Sequence, residues 1–571
     1  MNMYTMQTAK QHVLTELKKA VGKEFTPSIE DLAVPPDAAL GDLAFKCFAL
    51  AKGMGRNPAE VASELAAKMA PKGLFKTIAA HGPYVNFFFD DAAFAGALLP
   101  EILDAGPAYG LSTVGAGKTV MVEYANPNTH KEIHVGHLRN FFVGHMTVNV
   151  LRANGYTVIP VSYINDLGAH VAAVIWAVRG QASLPTKDMD ANRWLGEMYV
   201  EAVRAMDGDP NVKQQVSDIH RLLETQKKSP ELALWKKTRA WSLKYLRGVF
   251  KELGLPIEAS YLESELIRET KKIVADLKKK GIAVESQGAV IVDLSEEKLG
   301  VNLLVKSDGN LLYNAKDLAL ALRKEHEFHP QRSLYVIDVR QALAMNQLFA
   351  TLKRMGFEKE LAHISYEFVT LKEGAMAARK GNVIRYEAFR DAMFELARTE
   401  TRARHAEWKE KHVDQTAATL VRAAMRFSML KQDVDKKITF DMNEALSFDG
   451  ATGPYLLYCY ARIQSILKKA KGIKPLPAGK HLKTAPEHRL LILLASYPET
   501  VFQVAVTLHL SAIAQSAFDL CRAFSEFYEA VPVLQAEGTE IVAERLALVQ
   551  AVACVLENAF GLLGIEPMKE M

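Results

Sequence analysis

The chain has 571 residues, 49% of them hydrophobic and 24% charged, with a formal net charge of +4. That length is too great for one hydrophobic core, so three or four domains are expected, and the composition is that of a globular chain. The mild basicity permits a nucleic-acid partner but falls short of the cation density of a DNA-coating protein, so no DNA partner is expected.

The four cysteines, Cys47, Cys459, Cys521 and Cys554, lack paired spacing. This argues against a zinc site or a disulfide framework and for a reducing, cytoplasmic location. The N-terminus has no secretory-signal pattern. The most apolar long stretch, residues 490–514, is interrupted by Pro498, Glu499, Gln503 and His509, so no membrane span is expected.

Near the N-terminus Val13, Leu14, Leu17 and Val21 recur at helical spacing, and His81-Gly82-Pro83-Tyr84 is a turn leading into a strand through Phe89. Together they predict a small α/β domain over residues 1–112, closed by the Gly/Pro-rich run that ends with Gly115 and Gly117. A β-branched run at 119–124 then meets the turn Ala125-Asn126-Pro127-Asn128. A helix follows from about 136 to 154, and a second apolar strand covers 157–164. Strand, crossover helix and strand make the unit of a parallel sheet. Further strands are predicted at 289–294, 303–304, 334–337 and 363–368. The polar, helical pattern of 182–245 predicts an insertion outside the sheet, spanning about 180–255. After residue 407 the strand signal ceases, and amphipathic helices are predicted over 408–571, with a Lys-rich break at 468–483. The expected fold is α/β: a doubly wound, Rossmann-like parallel sheet over 113–407 between a small α/β domain and an all-α bundle.

The densest chemistry is Asn126-Pro127-Asn128-Thr129-His130-Lys131-Glu132-Ile133-His134-Val135-Gly136-His137. A strand-to-helix turn of this kind offers free N–H groups and the positive end of a helix dipole to a phosphate. Gly136 lets a flat ring approach the backbone, and His134 and His137 can donate to charge developing on a reacting phosphate. Alone, a His-x-Gly-His run is a turn with two solvated histidines. The longer stretch from Val122 to Asp166, however, closely resembles the signature region of the arginyl-tRNA synthetases. His134-x-Gly136-His137 is the motif shared by class I aminoacyl-tRNA synthetases. Glu123-Tyr124-x-x-Pro127-Asn128 before it and His137-Leu138-Arg139-Asn140 after it are more specific to the arginyl branch.

The resemblance runs through the whole chain. Lys306-Ser307-Asp308-Gly309 followed by Tyr313 and Asp317 is similar to the family's arginine-pocket segment, and Gln341 falls where the family keeps a pocket glutamine. Phe448-Asp449-Gly450-Ala451-Thr452-Gly453-Pro454-Tyr455, Tyr458-x-x-Ala461-Arg462, residues 524–534 and the ending Leu562-Leu563-Gly564-Ile565 resemble the anticodon-binding domain. Gly41-Asp42-Leu43-Ala44 resembles the domain that touches the tRNA elbow. The resemblance implies an arginine–tRNA ligase: L-arginine, ATP with Mg2+, and tRNA(Arg) as partners, a monomer, and adenylate formation that needs bound tRNA. It implies catalytic roles for His134 and His137 and ATP contacts from these with Gly136, Gly374 and Met376. It implies an arginine pocket of Glu123, Asn128, Tyr313, Asp317 and Gln341, and tRNA contacts from Tyr458, Arg462, Tyr528 and Met571. The pocket suits a guanidinium, whose planar fork is matched by paired carboxylate acceptors such as Glu123 and Asp317. Lysine lacks the fork and would leave acceptors unpaired, at ~1–3 kcal/mol per group.

One loop departs from the pattern. Many arginyl enzymes have Gly-Lys-Met-Ser-x-Arg-Lys-Gly-Asn where this chain has Gly374-Ala375-Met376-Ala377-Ala378-Arg379-Lys380-Gly381-Asn382. Losing a cation that stabilises departing pyrophosphate costs ~3–4 kcal/mol in comparable cases. Either Lys131, with Arg379 and Lys380 nearby, replaces the missing lysine, or the chain is a catalytically weakened or regulatory tRNA-binding relative. For RNA, Lys468, Lys469, Lys471, Lys474, Lys480 and Lys483 can track a backbone, and Tyr458, Tyr460 or Tyr528 can stack on a splayed base. Phe45, beside Gly41-Asp42, is either an elbow contact or core.

Overall fold

The computed structural model describes residues 4–22, 25–35, 37–185, 190–372, 384–470 and 472–571. They form two compact units. One joins Met1–Thr113 to Ser447–Thr507 and Ala512–Met571, and the other holds Val114–Leu446 with Leu508–Ser511.

In the first unit the helix Thr5–Val21 precedes four strands, β1 (Leu32–Ala33), β2 (Leu43–Lys46), β3 (Phe75–His81) and β4 (Tyr84–Phe89), in an antiparallel sheet of order β1-β2-β4-β3. Phe75, Phe89 and Phe94 stack behind it, with centroids 5.1 and 4.0 Å apart. The C-terminal part is helical: Gly453–Lys469, Ala485–Thr507, Ser511–Ala530 and Thr539–Leu563. Ala485–Thr507 and Thr539–Leu563 are long and apolar enough to cross a membrane. Their apolar faces form the core here, with Leu490, Leu494, Val501, Leu546, Val549 and Leu556 buried. His488 ties the helical part to the sheet domain, its ring nitrogens 2.6 Å from Asp42 and 2.5 Å from Asp91.

The second unit is built on five parallel strands. β5 (Thr119–Glu123), β6 (Thr157–Ile164) and β7 (Ala259–Leu262) run outward on one side. β8 (Val284–Ser286), β9 (Ala289–Asp293) and β10 (Val301–Val305) leave the sheet, and β11 (Arg332–Asp338) and β12 (Glu360–Tyr366) complete it in the order β12-β11-β5-β6-β7. The chain winds one way from β5 and returns on its other side at β11, so the boundary between these strands is the topological switch point where doubly wound sheets bind ligands.

The strands expected at 289–294 and 303–304 pair antiparallel in their own sheet with β8. The links between them are too short for the crossover that a parallel pair needs. β7, a four-residue edge strand, carries no pattern long enough to predict. Strand structure also continues past residue 407: β13 (Val369–Leu371) pairs parallel with β14 (Ile438–Phe440). Residues 408–446 belong to this unit rather than to the C-terminal helices. The helix Glu410–Leu430 lies against Val135–Ala153, where buried Arg426 reaches His145 Nδ1 at 3.1 Å, and Arg139 donates to the carbonyls of Asp433 and Lys436. The insertion forms the helices Ala191–Gly208, Pro210–Thr225 and Pro230–Glu252. With Ala169–Arg179 they bury Leu195, Ile219, Leu223 and Trp235 in a shared apolar cluster.

Candidate active site

Glu123 ends β5, and the chain then turns sharply. Ala125 and His130 both have positive φ, +56° and +59°, a conformation that costs a non-glycine residue about 1 kcal/mol or more and must be held by its surroundings. The holding bonds are visible. Asn140 Oδ1 accepts from the Ala125 N–H at 2.7 Å, and Asn140 Nδ2 donates to Val336 O of β11. Asn126 Oδ1 accepts from the Tyr163 N–H at 2.8 Å. Both ring nitrogens of His130 are hydrogen-bonded, Nδ1 with Thr129 Oγ1 and Nε2 with Thr238 Oγ1, one donating and the other accepting, and its backbone N–H donates to Ser242 of the insertion helix. Burial pushes His130 down to about 3, so it is a neutral structural strut. Gly144 is required one layer below, since a Cβ there would lie 2.2 Å from the Tyr124 ring.

The helix Val135–Ala153 starts from this turn with His134 as its N-cap. The rings of His134 and His137 lie 3.7 Å apart. A Cβ on Gly136 would stand 3.0 Å from the His134 ring, so the ring this glycine admits is the imidazole next to it. Burial, and then the Lys131 charge, lower His134 to about 4. Burial and the neighbouring His134 lower His137 to about 3, so both are neutral near pH 7. His137 Nδ1 accepts from the His134 N–H at 3.1 Å, which leaves Nε2–H of His137 as its donor. His134 Nδ1 is buried and has no partner among the described residues. Lys131 is half-buried, its ammonium 5.2 Å from the Tyr199 ring centroid, and burial lowers its pKa.

Beside this turn, at the carboxyl ends of β5 and β11, lies a cavity of about 490 Å³. Glu123, Asn128, Tyr313, Asp317 and Gln341, drawn from three separate stretches of chain, all line it, together with His137. Tyr313 and Asp317 come from the first two turns of the helix Tyr313–Phe328, and Gln341 caps Ala342–Arg354. Asp317 has no hydrogen bond or ion pair among the described residues. Burial first, then the Glu123 and Glu263 charges, push it up to about 8. Lys306-Ser307-Asp308-Gly309 forms an exposed turn and does not line the cavity.

Several lining groups went unforeseen. Tyr163, Tyr335 and Asn126 face the cavity, and a buried Lys324 pairs with Glu123. Tyr163 and Tyr335 read as ordinary strand aromatics, and Lys324 as one cation of a charged helix. Asn126 lies inside the signature stretch, the one signal that points to it.

Gly374, Met376, Arg379 and Lys380, with Ala375 and Ala377, lie outside the described residues. The residues expected to meet tRNA are in the other unit. There Arg462 sits between two rings, 4.8 Å from the Tyr458 centroid and 5.0 Å from that of Tyr528, and donates to Tyr458 OH at 2.6 Å. Tyr528 is 43% exposed. Met571 is partly buried. Tyr460 and Phe45 are fully buried and serve as core. Lys468, Lys469, Lys474, Lys480 and Lys483 are exposed, whereas Lys471 lies outside the described residues.

Comparison with known proteins agrees with this geometry. The family model "tRNA synthetases class I (R), catalytic domain" matches residues 99–442, "Arginyl tRNA synthetase N terminal domain" matches 7–89, and "DALR anticodon binding domain" matches 456–571. The arginine–tRNA ligase of Bdellovibrio bacteriovorus is 36% identical over 97% of this chain and 98% of its own length. That of Clostridium perfringens is 32% identical over 98% and 100%. Among solved structures, the arginyl-tRNA synthetase of Thermus thermophilus aligns with a TM-score of 0.81 at 24% identity, covering 98% of this chain and all of its own. That of Plasmodium falciparum aligns at 0.80 and 19% identity over both full chains, and the two likenesses establish a shared fold. With the motif turn at the switch point and relatives matching end to end, the chain belongs to the class I arginyl-tRNA synthetases, the ligases that use ATP to join arginine to its tRNA.

Proposed function

We propose that the cavity at the β5–β11 switch point is where L-arginine is bound and activated. The supporting observation is the convergence of Glu123, Asn128, Tyr313, Asp317 and Gln341 on one cavity with His137 at its wall. Asp317, unpaired, receives the guanidinium fork, and Asn128 and Gln341 hold the α-amino and carboxylate end. The arginine carboxylate attacks the α-phosphate of ATP in line, the bond to the β-phosphate breaks, and pyrophosphate leaves. A ribose hydroxyl at the tRNA 3′ end then attacks the arginyl carbonyl and AMP departs. Positioning and electrostatics carry such transfers. Neutral His137 donates through Nε2–H to charge growing on the α-phosphate, and His134 lies against it. Gly136 admits that pair of rings. Lys131 stands in for the loop lysine absent at Ala375 and meets the departing pyrophosphate, with Arg379, Lys380, Gly374 and Met376 assigned to the second phosphate loop.

Among the described residues no three His, Cys, Asp or Glu side chains converge as metal ligands. Mg2+ therefore fits this site as an ion carried by the phosphates of ATP, the way it is commonly bound. In the other unit the Tyr458–Arg462–Tyr528 stack offers a cation and an exposed ring to an anticodon base, with Met571 as a further contact. The N-terminal domain offers the exposed Phe48, edge-on to Tyr84 at 5.7 Å, to the tRNA elbow. Four cysteines without a disulfide suit a cytoplasmic protein, which we take to act as a monomer with no DNA or membrane partner.

The direct test is aminoacylation of total tRNA with each amino acid offered in turn: arginine alone is expected to be charged. A protein that binds tRNA but supports no arginine-dependent ATP–pyrophosphate exchange would instead be the regulatory relative. The role of Lys131 is checked with Lys131→Ala, expected to slow arginyl-adenylate formation ~100-fold, about 3 kcal/mol. An unchanged rate would assign the pyrophosphate to other cations.

A further inference from the structure

Three acids line the cavity; Asp338 is paired with Arg340 at 2.8 Å, and the other two, Glu123 and Asp317, are not equivalent. Glu123 is engaged from inside the protein on both oxygens: Asn126 Nδ2 donates to Oε1 at 3.0 Å, and the Lys324 ammonium pairs with Oε2. That ion pair is almost wholly buried, with side-chain exposures of 2% for Lys324 and 4% for Glu123, and the ammonium lies 4.3 Å from the Tyr335 ring centroid. Asp317 lies two turns before Lys324 on the same helix face and is unpaired. A buried ion pair adds little stability because desolvation offsets its attraction, so one beside a ligand cavity calls for another role.

The charges around Asp317 show that role. Glu123 on β5 is matched by Lys324. Glu263, just after β7, is matched by Lys316 at 2.6 Å, which also lies 3.4 Å from Glu224. Tyr163 of β6 and Tyr335 of β11 supply uncharged rings. Of the acids that line the cavity, Glu123 is matched by Lys324 and Asp338 by Arg340, and the Asp317 carboxyl is left over. We propose that Lys324 is a positioning and specificity residue of the arginine pocket, holding and neutralising Glu123 so that a single unmatched carboxylate, Asp317, awaits a single guanidinium. The inference rests on reading the cavity as the arginine site.

Without Lys324, Glu123 and Asp317 become two unmatched acids in one cavity that share a proton, and the proton Asp317 must give up to receive the guanidinium is held more tightly. The test is the arginine KM and its pH dependence, measured on the full chain by tRNA-supported ATP–pyrophosphate exchange. Lys324→Met is expected to raise the arginine KM at least ~10-fold at pH 7 while kcat changes less than ~3-fold, and to move the acid limb up by about one pH unit. Lys324→Arg is expected to restore both. Glu123→Gln strands the ammonium beside the incoming guanidinium and also raises KM. The double variant Glu123→Gln/Lys324→Met replaces the pair by neutral groups, so its loss is expected to be smaller than the product of the single losses. It keeps the test decisive if Lys324→Met fails to fold. A Lys324→Met enzyme with the parent KM and pH profile, or single losses that multiply in the double variant, would overturn the inference. If Asp317→Asn leaves the arginine KM unchanged, the reading of the cavity itself fails. If it raises KM while Lys324→Met does not, only the role of Lys324 fails.

Discussion

His137 and His488 mark a contrast between the two units. In the catalytic unit His130, His137, His145 and His170 are pushed down to about 3, mainly by burial, so each is neutral at physiological pH. In the other unit His488, hydrogen-bonded to Asp42 and Asp91, is raised to about 9 and carries a charge. One unit withdraws titratable groups from water to shape a cavity. The other keeps groups ionised, in a largely buried clamp at His488 and in the Tyr458–Arg462–Tyr528 stack with its exposed Tyr528 ring. Small-molecule chemistry needs low-dielectric preorganisation, whereas RNA is met by exposed cations and rings.

The largest expected effect falls on the catalytic side. Asp317→Asn removes the acceptor proposed for the guanidinium and should lower kcat/KM for arginine about 1000-fold, roughly 4 kcal/mol, with the tRNA KM unchanged. His137→Ala removes the donor proposed for the α-phosphate and should cut the adenylation rate ~100- to 1000-fold, read by single-turnover kinetics, at nearly constant arginine KM. The contrast in histidines predicts opposite pH responses. A histidine lowered from 6.5 to about 3 contributes stability that is full above 6.5 and is lost as pH falls, about 2 kcal/mol each by pH 5. The raised His488 contributes stability that is full below 6.5 and is lost as pH rises through about 9. All five tryptophans, Trp176, Trp194, Trp235, Trp241 and Trp408, lie in the catalytic unit. At pH 5 the tryptophan fluorescence melt should therefore precede the loss of total helicity, and near pH 9.5 the gap should close or reverse. The smallest effect is on the RNA side: Arg462→Ala should raise the tRNA KM about 10-fold, within the ~1–3 kcal/mol of one stacking contact, and leave arginine-saturated adenylation of prebound tRNA intact.

Much of this contrast was legible in the sequence, in ways that track its physics. The 157–164 strand and the 136–154 helix were readable because long apolar runs with clear stops leave little choice of structure. The five lining residues were readable only through their motif segments, because nothing in the spacing of Glu123 and Asp317 foretells that β5 and the helix Tyr313–Phe328 meet. Lys324 was invisible: a lysine in Arg323-Lys324-Glu325 looks solvated, and only the fold reveals that it points at β5. The boundary of the helical region was misjudged because a three-residue strand, β14, carries no periodic signal, and because Glu410–Leu430 is amphipathic whichever unit receives its apolar face.

The central claim, that the cavity presents one unmatched carboxyl to one guanidinium, is tested most directly by calorimetric titration of arginine into the tRNA-saturated enzyme at pH 7 in buffers of different ionisation enthalpy. With Asp317 pushed up to about 8 in the empty cavity, arginine binding should release close to one proton, and Asp317→Asn should abolish both the release and binding at the same concentrations. Arginine binding with no proton released, undiminished in Asp317→Asn, would contradict the account.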